Sequence, residues 1–279
     1  MKPIYRDAIL KASQIRKQLG LGMFQPINIF DACTKMGIDI RFVDLNMEGF
    51  YVIQNNTPSI LISTKRPLPR RTFTCGHELG HHVFGHGSKL DILSDEKEHT
   101  TIKDDDEILV DAFAAALLMP VGAIQAEFVK RSWNIQNASP VNFYTICSVF
   151  GVGYQTLVVH CKVSGLITES KAVGLLKLTP AKIFKTHFGA VEEKSYFRIM
   201  DEYAELSVVD LEVSNYIILP FSTLIEGQSL EKIGTSELGC VYIAKKPGIF
   251  TANNSGKSYF IRIQRENYIG FAEYRHLEN

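Results

Sequence analysis

His77-Glu78-Leu79-Gly80-His81 sets two imidazoles four residues apart with a carboxylate directly after the first. On a helix, positions four apart share a face, so both rings can reach one cation. Glu78 is then placed to take a proton from water at that cation, which is the chemistry of metal-assisted hydrolysis. By residue usage alone the pattern would arise in a chain of this length roughly one time in a hundred. The competing reading, a helix with ordinary surface histidines, is the weaker one.

A catalytic zinc needs a third protein ligand and an open fourth position. No third histidine follows at the H-E-x-x-H-x-x-G-x-x-H spacing: His86 is only five residues past His81, and His82 points off the metal face. The helix expected from Glu107 to Met119 is the better source. Glu107 opens it and Asp111 shares its face, which suits Glu107 as a ligand and Asp111 as a carboxylate that orients a ligand histidine. Phe113, Ala114, Ala115, Leu117 and Leu118 make this helix apolar enough to be buried. Two acids on a buried helix need compensation, which a divalent cation supplies. The alternative puts both acids in the solvated run ending at Asp106, and it fits Asp104 to Asp106 better than Asp111.

The elements that must hold these residues are legible as periodicity. Ile4 to Leu19 and Asn28 to Met36 read as helices stopped at Gly20 and Gly37. Ile38 to Leu45, Gly49 to Gln54 and Ser59 to Ser63 read as strands of a small, mostly antiparallel sheet, with Asn55-Asn56 as a turn. Arg70 to Gly85 is the histidine helix. Residues 87–106 form an acidic connection containing His99, which has no evident metal partner. Helices follow over Val121 to Lys130 and, around Gly151-Val152-Gly153, between Asn142 and Val163. Beyond about residue 170 the texture becomes strand-like: Ser207 to Val213, Tyr216 to Pro220, Cys240 to Lys245, Ser258 to Gln264 and Ile269 to Tyr274, with Asn253-Asn254-Ser255-Gly256 as a turn. The expected fold class is α+β. A zincin-like unit occupies 1–135, a helix-turn-helix-like segment packed on it 136–172, and a β-rich regulatory or recognition domain 173–279.

Thirty basic residues balance 30 acidic ones, so no global field draws the chain to nucleic acid or a membrane. Five cysteines, scattered and never in a C-x-x-C pair, argue against a disulfide framework and fit a reducing, cytoplasmic setting. No signal peptide and no apolar stretch long enough to span a bilayer are evident.

The two motifs together resemble those of the ImmA/IrrE-type bacterial metallopeptidases. The family's R-x-F-T-x-A-H-E-L-G-H is matched by Arg71-Thr72-Phe73-Thr74-Cys75-Gly76-His77-Glu78-Leu79-Gly80-His81. Its E-x-x-A-N-x-F-A-A-x-L-L-M-P is matched by Glu107-Ile108-Leu109-Val110-Asp111-Ala112-Phe113-Ala114-Ala115-Ala116-Leu117-Leu118-Met119-Pro120. The departures are Cys75-Gly76, Val110 in place of a small residue, and Asp111 where many members have asparagine. The resemblance implies a zinc endopeptidase (another divalent metal such as manganese being the alternative) with His77, His81 and Glu107 as ligands and Glu78 as acid/base. It also implies a protein substrate, a helix-turn-helix repressor of the XRE type, cut to express stress-response or mobile-element genes. The rival is a DNA-binding or repressor-binding regulator with a non-catalytic metal site.

The remaining features are weaker. Tyr154 to Val163 carries Lys162 as its one Lys or Arg, too few phosphate contacts to favour DNA binding. Cys75 reads as a small buried residue in preference to a thiolate switch. His82 and His86 read as polar-face histidines, and Trp133 and Tyr144 as core or interface residues. Arg71, Tyr144 and His160 are the candidates for a donor to the oxyanion.

Overall fold

The computed structural model describes residues 2–87, 89–92, 104–189, 196–204, 208–254 and 256–277. Its contacts divide the chain into two units, Met1–Ala123 with Asn267–Arg275, and Ile124–Glu266 with His276–Asn279.

The first unit opens with α1 (Pro3–Gln18) and α2 (Ile29–Lys35), followed by β1 (Asp39–Val43), β2 (Met47–Gln54) and β3 (Thr57–Ser63). Asn55 and Asn56 turn β2 into β3 with φ of 51° and 65°, the left-handed pair that a tight hairpin requires. β2 pairs antiparallel with β3, and β1 pairs with β3 in parallel. Alternation buries Ile40, Phe42, Ile60 and Ile62. Phe42 meets Phe30 of α2 edge-on, with ring centroids 5.3 Å apart.

Next come α3 (Leu68–Phe84), β4 (Lys89–Ile92) on the outer edge of β2, and α4 (Asp105–Leu118). Pro67 and Pro69 begin α3, where a missing amide proton is harmless. Asp105, Asp106 and Glu107 occupy the first turn of α4, where negative charge suits the helix dipole. Most of the acidic connection expected over 87–106, His99 included, lies outside the described residues.

The second unit takes in most of α5 (Val121–Lys130), then α6 (Pro140–Phe150), α7 (Tyr154–Val163), α8 (Glu169–Leu176) and α9 (Pro180–Phe188). A reciprocal Ser139–Asn142 capping box starts α6. Gly151, with φ of 68°, ends it, and α7 leaves at 99°, a helix-turn-helix shape. Two four-stranded sheets follow. One is ordered β5 (Phe197–Ile199), β7 (Tyr216–Leu219), β10 (Gly239–Ala244), β9 (Leu230–Ser236). The other runs β6 (Val208–Glu212), β12 (Lys257–Gln264), β11 (Gly248–Asn254), β8 (Leu224–Ile225). Val209, Leu211, Ile217, Leu219, Ile261 and Ile263 form their shared core.

The fold is α+β, as expected. Within the second unit, the Tyr144 hydroxyl of α6 donates to the Phe197 carbonyl at 2.8 Å, and the Arg198 guanidinium donates to the Ser148 carbonyl. The division between the units falls at Ala123. The expected strand Ile269 to Tyr274 is a two-residue strand, β13 (Gly270–Phe271), and a 3-10 turn (Ala272–Tyr274). β13 returns to the first unit and pairs with β1, completing the order β13-β1-β3-β2-β4. Finally, Asp105–Lys130 is long and apolar enough to cross a bilayer by length and composition. Its buried residues Val110, Phe113, Ala114, Leu117 and Leu118 face the first unit's core, and a core helix meets that test equally well.

Candidate metal centre

α3 and α4 are pressed together at two glycines one turn apart. A Cβ on Gly80 would lie 2.8 Å from Val110 Cβ, and one on Gly76 would lie 3.3 Å from Leu118 Cδ1 and 3.4 Å from Ala114 Cβ. Both departures from the family's small-residue pattern, Gly76 and Val110, therefore belong to this one helix contact. On its other side, α3 approaches β2 at Gly49, where a Cβ would meet Thr74 Cγ2 at 2.5 Å and Glu78 Oε1 at 2.8 Å. A glycine inside a strand is the sequence signal for such an approach. α1 holds the far end of α4: buried Arg16 donates to the Leu117 carbonyl at 2.7 Å and to the Gly22 carbonyl at 2.7 Å.

This frame brings His77, His81 and Glu107 to one point. The His77 and His81 Nε2 atoms are 3.2 Å apart. Glu107 Oε2 lies 3.2 Å from His77 Nε2, and Oε1 lies 3.6 Å from His81 Nε2. Ligands held about 2.0–2.1 Å from a tetrahedral zinc are about 3.3–3.4 Å from one another. The three side chains thus fit a zinc-sized cation and form a candidate metal-binding triad.

The electrostatics agree with that fit. Asp111 Oδ1 lies 2.9 Å from His77 Nδ1, which places Nδ1 to donate outward and turns Nε2 to the centre, where its lone pair is available to a cation once its proton has left. Burial lowers the proton affinity of His77, but hydrogen bonds to Asp111 and Glu107 and the nearby charge of Glu78 outweigh it, raising the pKa from 6.5 to about 10. The pocket is built to hold positive charge. Glu78 is fully buried, with its carboxylate against Gly49 of β2.

His82, Arg71 and Cys75 are turned away from the centre. His82 turns to the sheet, where the Tyr51 hydroxyl lies 2.7 Å from its Nδ1. Arg71 Nε donates to the Arg66 carbonyl at 2.6 Å, and its guanidinium sits over Phe42, so it faces the core. Tyr144 and His160 belong to the second unit. Cys75 is fully buried beside Cys33, with the sulfurs 3.8 Å apart. Burial, then the Cys33 hydrogen bond, push its thiol pKa well up, which suits a packing residue and not a reactive thiolate. His86, read from sequence as an ordinary polar residue, instead places Nδ1 3.2 Å from His81 Nδ1.

A helix bearing H-E-x-x-H, packed against a second helix that adds a carboxylate beside a small mixed sheet, is the architecture of a zincin-like peptidase unit. Residues 33–162 match the model of the peptidase M78 family, described as the IrrE N-terminal-like domain, a match that supports the ImmA/IrrE resemblance over that segment. No curated protein matches the chain significantly.

Proposed function

We propose that the protein is a zinc-dependent endopeptidase in which His77, His81 and Glu107 hold the ion, Asp111 orients His77, and Glu78 is the general base. The observation that carries this reading is the convergence of two imidazole Nε2 atoms and one carboxylate at 3.2–3.6 Å. Two histidines and a glutamate form a donor set used at catalytic zinc sites, with a fourth position left for water or substrate; manganese is the alternative ion. Bound there, the cation would polarise a peptide carbonyl and make water acidic enough to ionise near neutral pH. Glu78 would accept the proton from the attacking water and deliver it to the leaving amine. Its burial against Gly49 keeps the carboxylate in one orientation.

The peptidase-family match implies a protein substrate. The resemblance supports a helix-turn-helix repressor of the XRE type, cut in the cytoplasm to express stress-response or mobile-element genes. Five buried free cysteines suit that compartment. The α6–α7 pair has the shape of a DNA reader, but Lys162 on α7 lies 3.4 Å from Glu169, and so little free positive charge favours no DNA role. The strand-rich region after α9, which contributes none of the triad, would govern target choice or timing.

The test is Glu78→Gln, which keeps the side-chain shape but cannot accept the proton. The variant should bind one zinc ion per chain as the wild type does and cleave the repressor encoded beside its gene about 100-fold more slowly or worse. Unchanged turnover would remove Glu78 from the mechanism. Zinc binding by the wild type with no cleavage of any repressor would favour the non-catalytic regulator.

A further inference from the structure

We infer that His86 is a positioning residue: folded back over the end of α3, it accepts the Nδ1 proton of His81 and so keeps His81 Nε2 free for the cation. This deepens the zinc-site reading and rests on it.

The backbone explains how a residue five positions past a ligand reaches it. Gly85 is left-handed, with φ of 71°. Its amide donates to the His82 carbonyl at 3.2 Å, and the His86 amide donates to the His81 carbonyl at 3.0 Å. These are the two hydrogen bonds of a Schellman motif, in which the second residue past the helix end is brought over the residue five before it. That pair is ordinarily a hydrophobic contact. Here it is His81 and His86, with Nδ1 atoms 3.2 Å apart and ring centroids 5.3 Å apart.

The direction of the hydrogen bond follows from the chemistry. His81 Nε2 points at His77 and Glu107, so to hold a cation it must present a lone pair, and the neutral ring then carries its proton on Nδ1. His86 Nδ1 must accept that proton, which leaves the His86 hydrogen on Nε2. Asp106 Oδ1 lies on that side, 3.6 Å from Nε2. Phe84 stacks on the His86 ring with centroids 5.8 Å apart and 21° between planes, and Phe113 of α4 meets Phe84 edge-on. The ring is thus set by a turn below, an aromatic face beside it and a carboxylate beyond. His77 is oriented by Asp111, and His81 by His86. Because His86 meets the outer nitrogen of His81, it is itself no ligand.

The experiment compares zinc affinity, by chelator competition, in the full-length wild type, His86→Leu and His86→Asn. Asparagine sets its Oδ1 where the imidazole Nδ1 was and can still accept the proton, whereas leucine fills the space without an acceptor. His86→Leu should weaken zinc binding by about 10- to 100-fold, and His86→Asn should recover most of that loss. In nitrogen-15 spectra of the zinc-loaded protein, a slowly exchanging His81 Nδ1–H should be present in the wild type and His86→Asn and absent in His86→Leu. Should the leucine variant not fold, His86→Met serves in its place. Equal affinity in all three proteins overturns the inference, as does a loss in His86→Asn as large as in His86→Leu. The underlying site is tested separately by His77→Ala: if that variant binds zinc as tightly as the wild type, the triad itself is misassigned.

Discussion

His77 sits between two carboxylates, and its raised pKa makes the proton a competitor for the metal. Its folded value is about 10 against 6.5 for the ordinary imidazole. In the metal-free protein the stabilisation from that proton is therefore complete below pH 6.5 and disappears as the pH rises through 10. A cation needs the unprotonated Nε2, so apparent zinc affinity should climb between pH 7 and 9, with proton release on binding at pH 7. Calorimetry in buffers of different ionisation enthalpy measures that release; none at pH 7 would mean that His77 is already neutral. At this scale the site was largely readable from residue types. The four-residue spacings of His77 to His81 and of Glu107 to Asp111 each put two side chains on one helical face. His86 was not readable in the same way, because its contact depends on a left-handed Gly85 that reverses the chain, and helical periodicity stops where α3 does.

Between elements, the site depends on how closely α3 and α4 approach, and Gly80 sets that distance. A methyl group there would stand 2.8 Å from Val110 Cβ. Alanine gains about 1 kcal/mol of helix propensity over glycine, whereas overpacking a tight contact costs about 1–3 kcal/mol. Gly80→Ala should therefore be net destabilising, and it should weaken zinc binding because Glu107 and Asp111 ride on the displaced helix. Val110→Ala in the same chain should restore affinity, a coupling expected only of residues in contact. Zinc titration of the two single variants and the double variant decides it, and strictly additive losses would place the cause elsewhere. The helices of the first unit and its strands β1, β2 and β3 were legible within a few residues because each has a clear apolar period, whereas β4 lay inside the stretch read as an acidic connection. In the second unit α8, α9, β5, β8, β9 and β11 escaped. β5 and β8 are only three and two residues long. β9, Leu-Glu-Lys-Ile-Gly-Thr-Ser, is exposed along most of its length and shows no apolar face. The two helices are short and lie where the chain was read as turning strand-like.

Over the whole chain, the least legible feature is the return of Asn267–Arg275 to the first unit, because a two-residue strand has no period and its partner lies more than 200 residues earlier. The contacts show why the return matters to the site-bearing unit. Phe271 pairs with Arg41 and Gly270 with Phe42. The Arg41 guanidinium covers the Phe271 ring at 4.0 Å, and Tyr268 meets Phe42 edge-on. Arg275, only 2% exposed, lies over the Phe30 ring at 5.3 Å with Nη2 3.4 Å from Asp31 Oδ1. Phe30 and Phe42 pack on each other, so the returning segment closes the side of the core that carries α2 and β1. A chain cut near Thr179 keeps every residue of the triad but lacks this closure. Removing the Arg275 side chain by Arg275→Ala takes away the cation–π contact, the ion pair and much buried hydrocarbon. Because Asp31 is partly exposed and can be rehydrated, the loss should be about 2 kcal/mol, below that of a fully buried pair. Hydrogen exchange resolved by segment is the suitable measurement. Amides of α2, β1 and β3 should exchange faster in Arg275→Ala, and faster still in a chain ending at Glu266, while those of β10 and β12 keep their wild-type rates. Equal acceleration in β10 and β12 would show that the segment stabilises the molecule as one cooperative body and not the first unit in particular.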